Sequence, residues 1–191
     1  MNYRFLQKEQ FHFYNYSITP YRESDIYKIK DWRNEQMDVL RQNKILTDSD
    51  QYNYYQNIVK KSFSEDNPRI ILFSFFENNN FIGYGGLTNV DWDSKRAEIS
   101  FLVETSRTKD NNLYESDFTS FLKLMKIVAF EELHFNRLFT ETYDIRPFHI
   151  SLLEKSGFIR EGRMREHILI KDKFVDSLIH GFIKSQYEFK R

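Results

Sequence analysis

The chain has 191 residues, with 28 basic and 28 acidic side chains, no cysteine, and aromatic residues at 17% of its positions. This length fits a single domain, and the absence of cysteine excludes disulfides and a thiol that acts as nucleophile or metal ligand. The formal net charge of zero disfavours a nucleic-acid-binding protein, because such proteins usually carry a basic surface.

The hydrophobic periodicity predicts strands and helices that do not alternate regularly. Ile26, Ile29 and Trp32 recur at helical spacing, and Thr47 followed by Asp50 is typical of a helix N-terminus. The predicted elements, in chain order, are a strand at Tyr16–Tyr21, helices at Glu23–Asn34 and Ser49–Phe63, strands at Ile70–Glu77, Phe81–Val90 and Arg96–Glu104, a helix at Glu115–His134, a strand at Leu138–Tyr143, a helix at Phe148–Ser156, and strands at Ile159–Ile170 and Phe174–Tyr187. This order favours a mixed sheet of the α/β or α+β class.

One domain is predicted over residues 1–191, in which residues 1–15 form an extension before the first strand. The first ten residues lack an apolar segment and no run of 18 apolar residues occurs, so neither a signal peptide nor a membrane span is expected. We therefore expect a cytoplasmic protein, a monomer or homodimer, without a membrane or nucleic acid among its partners. The five histidines lack the spacing of a metal site, and no metal is expected.

Several short sequence motifs occur in a characteristic order along the chain. They are Trp32–Asn34, Ala97–Phe101, Ala129–Leu133, Asn136–Leu138, Leu153–Phe158 and Glu161–Glu166. This ordered set resembles the GNAT superfamily of N-acetyltransferases, in its RimJ/RimL-like branch, and the resemblance extends from Tyr16 to Tyr187. It implies a mixed sheet of about seven strands flanked by about four helices, with strands four and five splayed apart.

The resemblance implies an acetyl-CoA-dependent N-acetyltransferase, in which a primary amine attacks the thioester directly. Acetyl-CoA would be the co-substrate, with its pantetheine arm in the cleft between Phe101–Glu104 and Leu138–Tyr143. Catalysis then depends on the alignment of the two reactants, polarisation of the carbonyl group and a route for the amine proton. The residues expected to contact the cofactor are Phe101, Leu102, Val103, Arg107, Lys109, Asn112, Ser116, Arg146 and His149.

The loop Glu104–Glu115 departs from the family pattern. Members of the family usually place glycines here, and their backbone N–H groups hold the CoA diphosphate at a helix N-terminus. One register aligns the glycine positions with Asp110 and Asn112, and the other aligns them with Ser116 and Phe118. Neither register restores a glycine.

Charged side chains are candidates for replacing these lost contacts. Arg107 and Lys109 lie in the same loop and could bind phosphate through their charge. Arg146 stands where the family usually has an asparagine that contacts the pantetheine arm. An arginine retains hydrogen-bond donors at this position. The alternative for each is a solvated surface position.

Glu98 is the predicted general base. Strand alternation places Glu98 and Ser100 on one face of the predicted strand Arg96–Glu104, and a subset of the family has its base at this position. The alternative is an ion pair with Arg96 or a neighbouring strand. The tyrosine that protonates the leaving thiolate in many members corresponds to Leu153, so Tyr143 or His149 would supply that proton, unless the thiolate leaves without a dedicated acid.

The segment Trp32–Tyr55 corresponds to the acceptor side of the cleft in the family, and the predicted substrate contacts are Trp32, Arg33, Asn34 and Arg41. Arginine can clamp a diphosphate and tyrosine can stack on a ring, and the chain also resembles GNAT members that acetylate amino sugars. A nucleotide-linked amino sugar is therefore the first acceptor expected. One alternative is a protein N-terminus, as in ribosomal-protein-like acetyltransferases. Another is a non-catalytic acyl-CoA-binding module, which the missing glycines favour and Glu98 disfavours.

Overall fold

The computed structural model describes residues 2–189, and one mixed eight-stranded sheet forms its centre. The strands are β1 (Phe11–Phe13), β2 (Tyr16–Pro20), β3 (Ile71–Glu77), β4 (Asn80–Asp91), β5 (Arg96–Val103), β6 (Arg137–Tyr143), β7 (Ile159–Ile170) and β8 (Lys173–Ile183). Their order in the sheet is β1-β2-β3-β4-β5-β6-β8-β7. All neighbouring pairs are antiparallel except β5 and β6, which run parallel at the middle of the sheet.

Helices lie between β2 and β3, between β5 and β6, between β6 and β7, and after β8. They are α1 (Ile26–Glu35), α2 (Asp48–Tyr54), which continues through π-helical turns at Tyr55–Val59 into α3 (Lys60–Ser62), then α4 (Asn111–Lys126), which continues as π-helical turns at Ile127–Glu132, α5 (Pro147–Lys155) and α6 (Lys184–Phe189). The predicted start of the second helix is confirmed, because Thr47 and Asp50 form a reciprocal capping box. No helix among residues 2–189 is long and apolar enough to cross a membrane.

The sheet has one strand more than the sequence analysis predicted, because part of the expected N-terminal extension joins it. β1 pairs with β2, and Tyr3 and Leu6 are buried in the core. The Tyr3 hydroxyl donates to the Leu72 carbonyl at 3.1 Å and accepts from the Leu72 N–H at 2.6 Å. Aromatic anchors therefore hold this segment against the domain although it is rich in charged residues. Met1 lies outside the described residues.

Two other boundaries differ from the prediction. The central helix begins at Asn111 rather than Glu115, because Asp110 serves as its N-cap. The final predicted strand ends at Ile183, and its last residues form α6. Neither change alters the order of the elements around the middle of the sheet.

The apolar stripe of α4 packs on the sheet as its periodicity predicted. Phe118 and Phe121 are buried, and each ring lies 5.0 Å from the ring of Phe101 on β5. Phe121 also contacts Phe75 at 5.2 Å. Burial of a phenylalanine side chain contributes roughly 1.5–3 kcal/mol, so this cluster fixes α4 against β5.

β5 and β6 pair over only three positions before they separate. The pairs are Arg96 with Arg137, Ala97 with Leu138, and Glu98 with Phe139. β5 continues to Val103 and β6 to Tyr143 without further pairing between them. The splay predicted between these two strands is therefore present, and it starts immediately after Glu98.

Candidate active site

A cavity of about 170 Å³ opens where β5 and β6 diverge. Its walls come from both strands, α4, α5 and the loop between α1 and α2. Residues from each of these elements reach it, among them Arg41, Glu98, Phe101, Phe118, Thr140 and His149. We call this space the reaction cavity.

Two further cavities share walls with the reaction cavity. The first, called the α5-side cavity, is lined by Gln36, Thr105, Thr108, Asn111, Tyr114 and Phe148, and it shares Val39, Arg146 and His149 with the reaction cavity. The second, called the hairpin groove, is lined by Met37, Asn43, Tyr143 and residues 167–171 of the β7–β8 hairpin, and it shares Leu40, Arg41 and Glu141 with the reaction cavity. One molecule can therefore approach Glu98 through the α5-side cavity and another through the hairpin groove.

An arginine and two carboxylates form an ionic cluster at the start of the splay. Arg41 donates to Glu98 through Nη2 at 2.7 Å and Nη1 at 3.2 Å, and to Glu141 through Nη2 at 2.7 Å. The amide of Asn89 donates to Glu98 Oε2 at 2.6 Å. The side chain of Glu98 is 8% exposed and that of Arg41 is 49% exposed, so a buried carboxylate is paired with a cation that reaches solvent.

A hydrogen-bonded chain lines the other side of the reaction cavity. Arg146 donates to the Tyr114 hydroxyl at 2.8 Å, and this hydroxyl lies 2.8 Å from His149 Nδ1. Burial lowers the pKa of His149 well below its usual value, and the charge of Arg146 adds to the effect. The imidazole is therefore neutral near pH 7. The direction of the hydrogen bond between Tyr114 and His149 follows the imidazole tautomer: when Nε2 carries the ring hydrogen, the Tyr114 hydroxyl donates to Nδ1.

The orientation of this imidazole is fixed from two directions. Its ring stacks on Phe118 at 4.1 Å, and Tyr114 holds Nδ1. His149 lines both the reaction cavity and the α5-side cavity. A neutral imidazole therefore stands at the boundary between the two spaces.

Comparison with known proteins assigns the family. The sequence profile of the acetyltransferase (GNAT) domain matches residues 18–179. The chain belongs to the GNAT acetyltransferase family. Acetyl-CoA is accordingly its co-substrate, and the predicted GNAT fold, with a mixed sheet splayed at the middle, is confirmed.

Solved structures of this fold include spermidine N-acetyltransferase from Vibrio cholerae in complex with CoA and spermine. It has a TM-score of 0.78 and 15% sequence identity, covering 92% of this chain and 99% of that chain. A chimera of the Vibrio cholerae enzyme and hSSAT has a TM-score of 0.76 and 16% identity, covering 91% and 98%. A point mutant of the same enzyme has a TM-score of 0.74 and 16% identity, covering 92% and 98%. At these identities the likeness concerns the fold.

The GNAT splay brings together only some of the residues predicted to bind cofactor. Phe101, Arg146 and His149 line the reaction cavity. Leu102 is buried on β5, and the Val103 carbonyl accepts from the Gln36 amide at 2.9 Å. Three others are exposed and lie outside the three cavities: Lys109, Asn112 and Ser116.

Arg107 is held inside the domain rather than presented to a phosphate. It donates to Asp117 at 2.6 and 2.7 Å and to Glu77 at 2.8 Å. The arginine side chain is 13% exposed and that of Asp117 is 0% exposed. The hydrogen bonds with Asp117 raise the pKa of the Arg107 guanidinium well above its ordinary value, so this group stays charged and paired.

The start of α4 shows how this GNAT member differs from the glycine pattern. The Asp110 carboxylate accepts from the backbone N–H groups of Asn112 at 2.9 Å and Leu113 at 3.1 Å. These are the kind of donors that a phosphate would use at a helix N-terminus. The register with Asp110 and Asn112 at the glycine positions is the one that falls at the helix start.

The predicted acceptor contacts divide in a similar way. Arg33 lines the reaction cavity and donates to the Tyr84 hydroxyl at 2.6 Å, and Arg41 belongs to the ionic cluster. Trp32 instead stacks on Phe81 at 5.1 Å. Asn34 bonds the backbone of Leu46 through both its amide nitrogen and its oxygen, at 2.9 Å each. These last two residues shape the loop that carries Arg41.

Tyr143 lies in the hairpin groove, away from the boundary where His149 stands. Burial raises the pKa of its hydroxyl. Glu141, two residues earlier on the same strand face, was not among the predicted site residues, although alternation from Tyr143 would have pointed to it. Among residues 2–189, no three His, Asp or Glu side chains are grouped so that they could hold a metal ion.

Proposed function

We propose that this GNAT protein transfers the acetyl group of acetyl-CoA to a primary amine by direct attack, with both reactants bound at once. The arrangement of the cavities carries this proposal. The reaction cavity shares one wall with the α5-side cavity and another with the hairpin groove. A donor and an acceptor that meet there gain the rate advantage of alignment, which reaches about 7–11 kcal/mol in favourable cases.

On the donor side, the unpaired edges of β5 and β6 offer backbone groups to an extended arm, as an added strand would use them. Acetyl-CoA supplies the activated thioester. We assign the Nε2–H of His149 to hydrogen bonding with the acetyl thioester, because His149 stands between the space for the arm and the reaction cavity. A neutral donor there stabilises negative charge that develops during transfer.

On the acceptor side, we assign the role of general base to Glu98. Its carboxylate borders the reaction cavity and is fixed on the last paired residue of β5. A carboxylate in that place can take the proton that the amine loses. Arg41 occupies it at rest, so the arginine must move before Glu98 can act.

The same contacts bear on the acceptor. A nucleotide-linked amino sugar was predicted because Arg41 could clamp its diphosphate. Arg41 already bonds Glu98 and Glu141, and a diphosphate beside those carboxylates would be repelled. This favours a small primary amine without a diphosphate over a nucleotide sugar. The fold likeness to an enzyme described as a spermidine N-acetyltransferase supports a small-molecule amine over a protein N-terminus.

Within the family, the sequence motifs at Leu153–Phe158 and Glu161–Glu166 support a place in the RimJ/RimL-like branch.

Thiol release tests the proposal. The protein should release CoA from acetyl-CoA with at least one amine in a panel of polyamines, amino sugars, nucleotide-linked amino sugars, amino acids and N-terminal peptides. Calorimetry should show binding of acetyl-CoA without acceptor. Binding without turnover of any amine would support the non-catalytic acyl-CoA-binding module instead. Absence of binding at millimolar acetyl-CoA would contradict both functions.

Asp110 is expected to weaken acetyl-CoA binding. Asp110→Gly should lower the dissociation constant for acetyl-CoA by roughly twofold to fivefold, because charge at a helix N-terminus is worth about 0.3–1 kcal/mol and two N–H groups become free. Asp110→Asn is the matched variant, since it removes the charge and keeps the cap, and its effect should be smaller. The free energy of unfolding should fall by only about 0.3 kcal/mol in the glycine variant. Equal affinities in all three proteins would place the diphosphate away from the start of α4.

A further inference from the structure

The cation in the ionic cluster comes from a loop, whereas the carboxylates come from the sheet. Glu98 and Glu141 belong to β5 and β6, and their side chains are 8% and 16% exposed. Arg41 lies between α1 and α2, in a segment without α-helix or strand beyond one short turn. The acidic partners are thus fixed by strand pairing, and the basic partner sits on the more adaptable element.

Side-chain contacts hold the loop near Arg41, and Leu40 packs against the core. Lys171 of the β7–β8 hairpin pairs with Asp38, where both side chains are exposed. Gln42 accepts from Arg33 at 3.1 Å and donates to Asn34 at 2.9 Å. Side chains of this loop line all three cavities. Movement of the loop would therefore open the reaction cavity and release the two carboxylates together.

The wall of the reaction cavity includes a buried polar side chain. Thr140 lines this cavity and is 6% exposed. Among the described residues, its hydroxyl has no hydrogen-bond partner. An unpaired buried hydroxyl is unfavourable, so a polar ligand that reaches this group would gain a hydrogen bond.

We propose that Arg41 occupies the place of the acceptor, and that the ammonium group of a small cationic primary amine displaces it from Glu98 and Glu141. This inference rests on the proposed acetyltransferase function and names its substrate class. Exchange of one cation for another keeps both carboxylates paired, which matters because an unpaired buried charge is strongly destabilising. A neutral or anionic acceptor could not replace Arg41 in this way.

The exchange also prepares the reaction. Once Arg41 has left, the ammonium gives one proton to Glu98 and becomes a neutral amine. The nitrogen lone pair forms the N–C bond to the acetyl carbon, and the C–S bond breaks with its electron pair going to sulfur. The nitrogen then releases its second proton to solvent, and the thiolate takes up one proton from solvent. The products are an N-acetyl amide and CoA thiol, with the proton on Glu98 passing to water.

Replacing Arg41 has opposite consequences under the two acceptor hypotheses. If Arg41 competes with the substrate, Arg41→Ala should lower KM for a small cationic amine. The decrease should be about tenfold if Arg41 is paired with the two carboxylates in about nine-tenths of the molecules. If Arg41 clamps a diphosphate, the same variant should raise KM for a nucleotide-linked amino sugar. Arg163→Ala is the matched control, because Arg163 is 54% exposed, bridges Asp144 and Asp176, and lines none of the three cavities. It should leave KM unchanged.

A binding measurement tests the inference without turnover. Calorimetry should detect methylguanidinium binding to Arg41→Ala, but neither to the wild type nor to the Arg41→Ala/Glu98→Gln double variant. Arg41→Gln provides a second protein if the alanine variant melts early. Failure of the wild type to acetylate any amine would reject the proposed function, whereas methylguanidinium binding would still support the cation site. An unchanged or raised KM for cationic amines in Arg41→Ala, or no methylguanidinium binding to it, would overturn the inference.

Discussion

Replacement of Glu98 with glutamine is expected to lower kcat by roughly 10²–10⁴-fold, the usual contribution of a general base. Glutamine has nearly the same shape and can still accept from Asn89, which donates to Glu98 at 2.6 Å, so the cavity should keep its form. It cannot take a proton from the amine. The affinity for acetyl-CoA should change little, because the carboxylate lies on the acceptor side. Steady-state kinetics with saturating acetyl-CoA, together with calorimetry of cofactor binding, would measure both quantities.

Glu141→Gln is the matched control for this variant. Glu141 shares Arg41 with Glu98 at 2.7 Å but lies on β6, beyond the last residue that pairs with β5. Its replacement should raise KM for a cationic acceptor and leave kcat within a few-fold of the wild type. Similar losses of kcat in both variants would indicate that the two carboxylates act only as a charged pair. An unaltered pH–rate profile in Glu98→Gln would assign the base to another group or to water.

Replacement of Asp117 with alanine is expected to lower the free energy of unfolding by about 3–5 kcal/mol, the usual effect of removing one partner of a buried ion pair. Asp117 is fully buried, and it accepts from Arg107 and from the Tyr16 hydroxyl. Without it, the Arg107 guanidinium would remain largely buried with Glu77 as its carboxylate partner. Urea denaturation followed by fluorescence would measure the change.

Two controls separate a buried pair from a surface pair. Asp66→Ala should have almost no effect, because Asp66 is 75% exposed and pairs with an exposed Arg4. The double variant Arg107→Met/Asp117→Leu should recover much of the loss, since apolar side chains of similar volume can replace a buried ion pair. If Arg107→Ala weakened acetyl-CoA binding without lowering stability, Arg107 would have to be regarded as a phosphate ligand after all.

These predictions depend on contacts that no local pattern in the chain contains. The pairing of Arg41 with Glu98 joins residues 57 positions apart, and that of Arg41 with Glu141 joins residues 100 positions apart. The sequence pattern assigns Arg41 and Glu98 to different roles and offers Arg96 as an ion-pair partner of the glutamate. Arg96 bonds Asp91 instead, at 3.2 Å. Which charges meet is decided by how the α1–α2 loop crosses the splay.

The central features of the fold were nevertheless readable from the sequence by itself. The apolar stripe of α4, the alternation along β5 and the capping box at Thr47 are patterns within a few residues, and each depends on backbone periods of 3.6 or 2.0. Together with the ordered family motifs, they determined the GNAT fold and placed Glu98 on the strand that splays from its neighbour. Only the tertiary structure decided that β1 joins the sheet, that the splay begins at Glu98, that Arg107 pairs with Asp117, and that Arg41 pairs with Glu98. Those outcomes depend on burial and on ion pairs between distant segments, and a side chain's partners are set only when the elements pack.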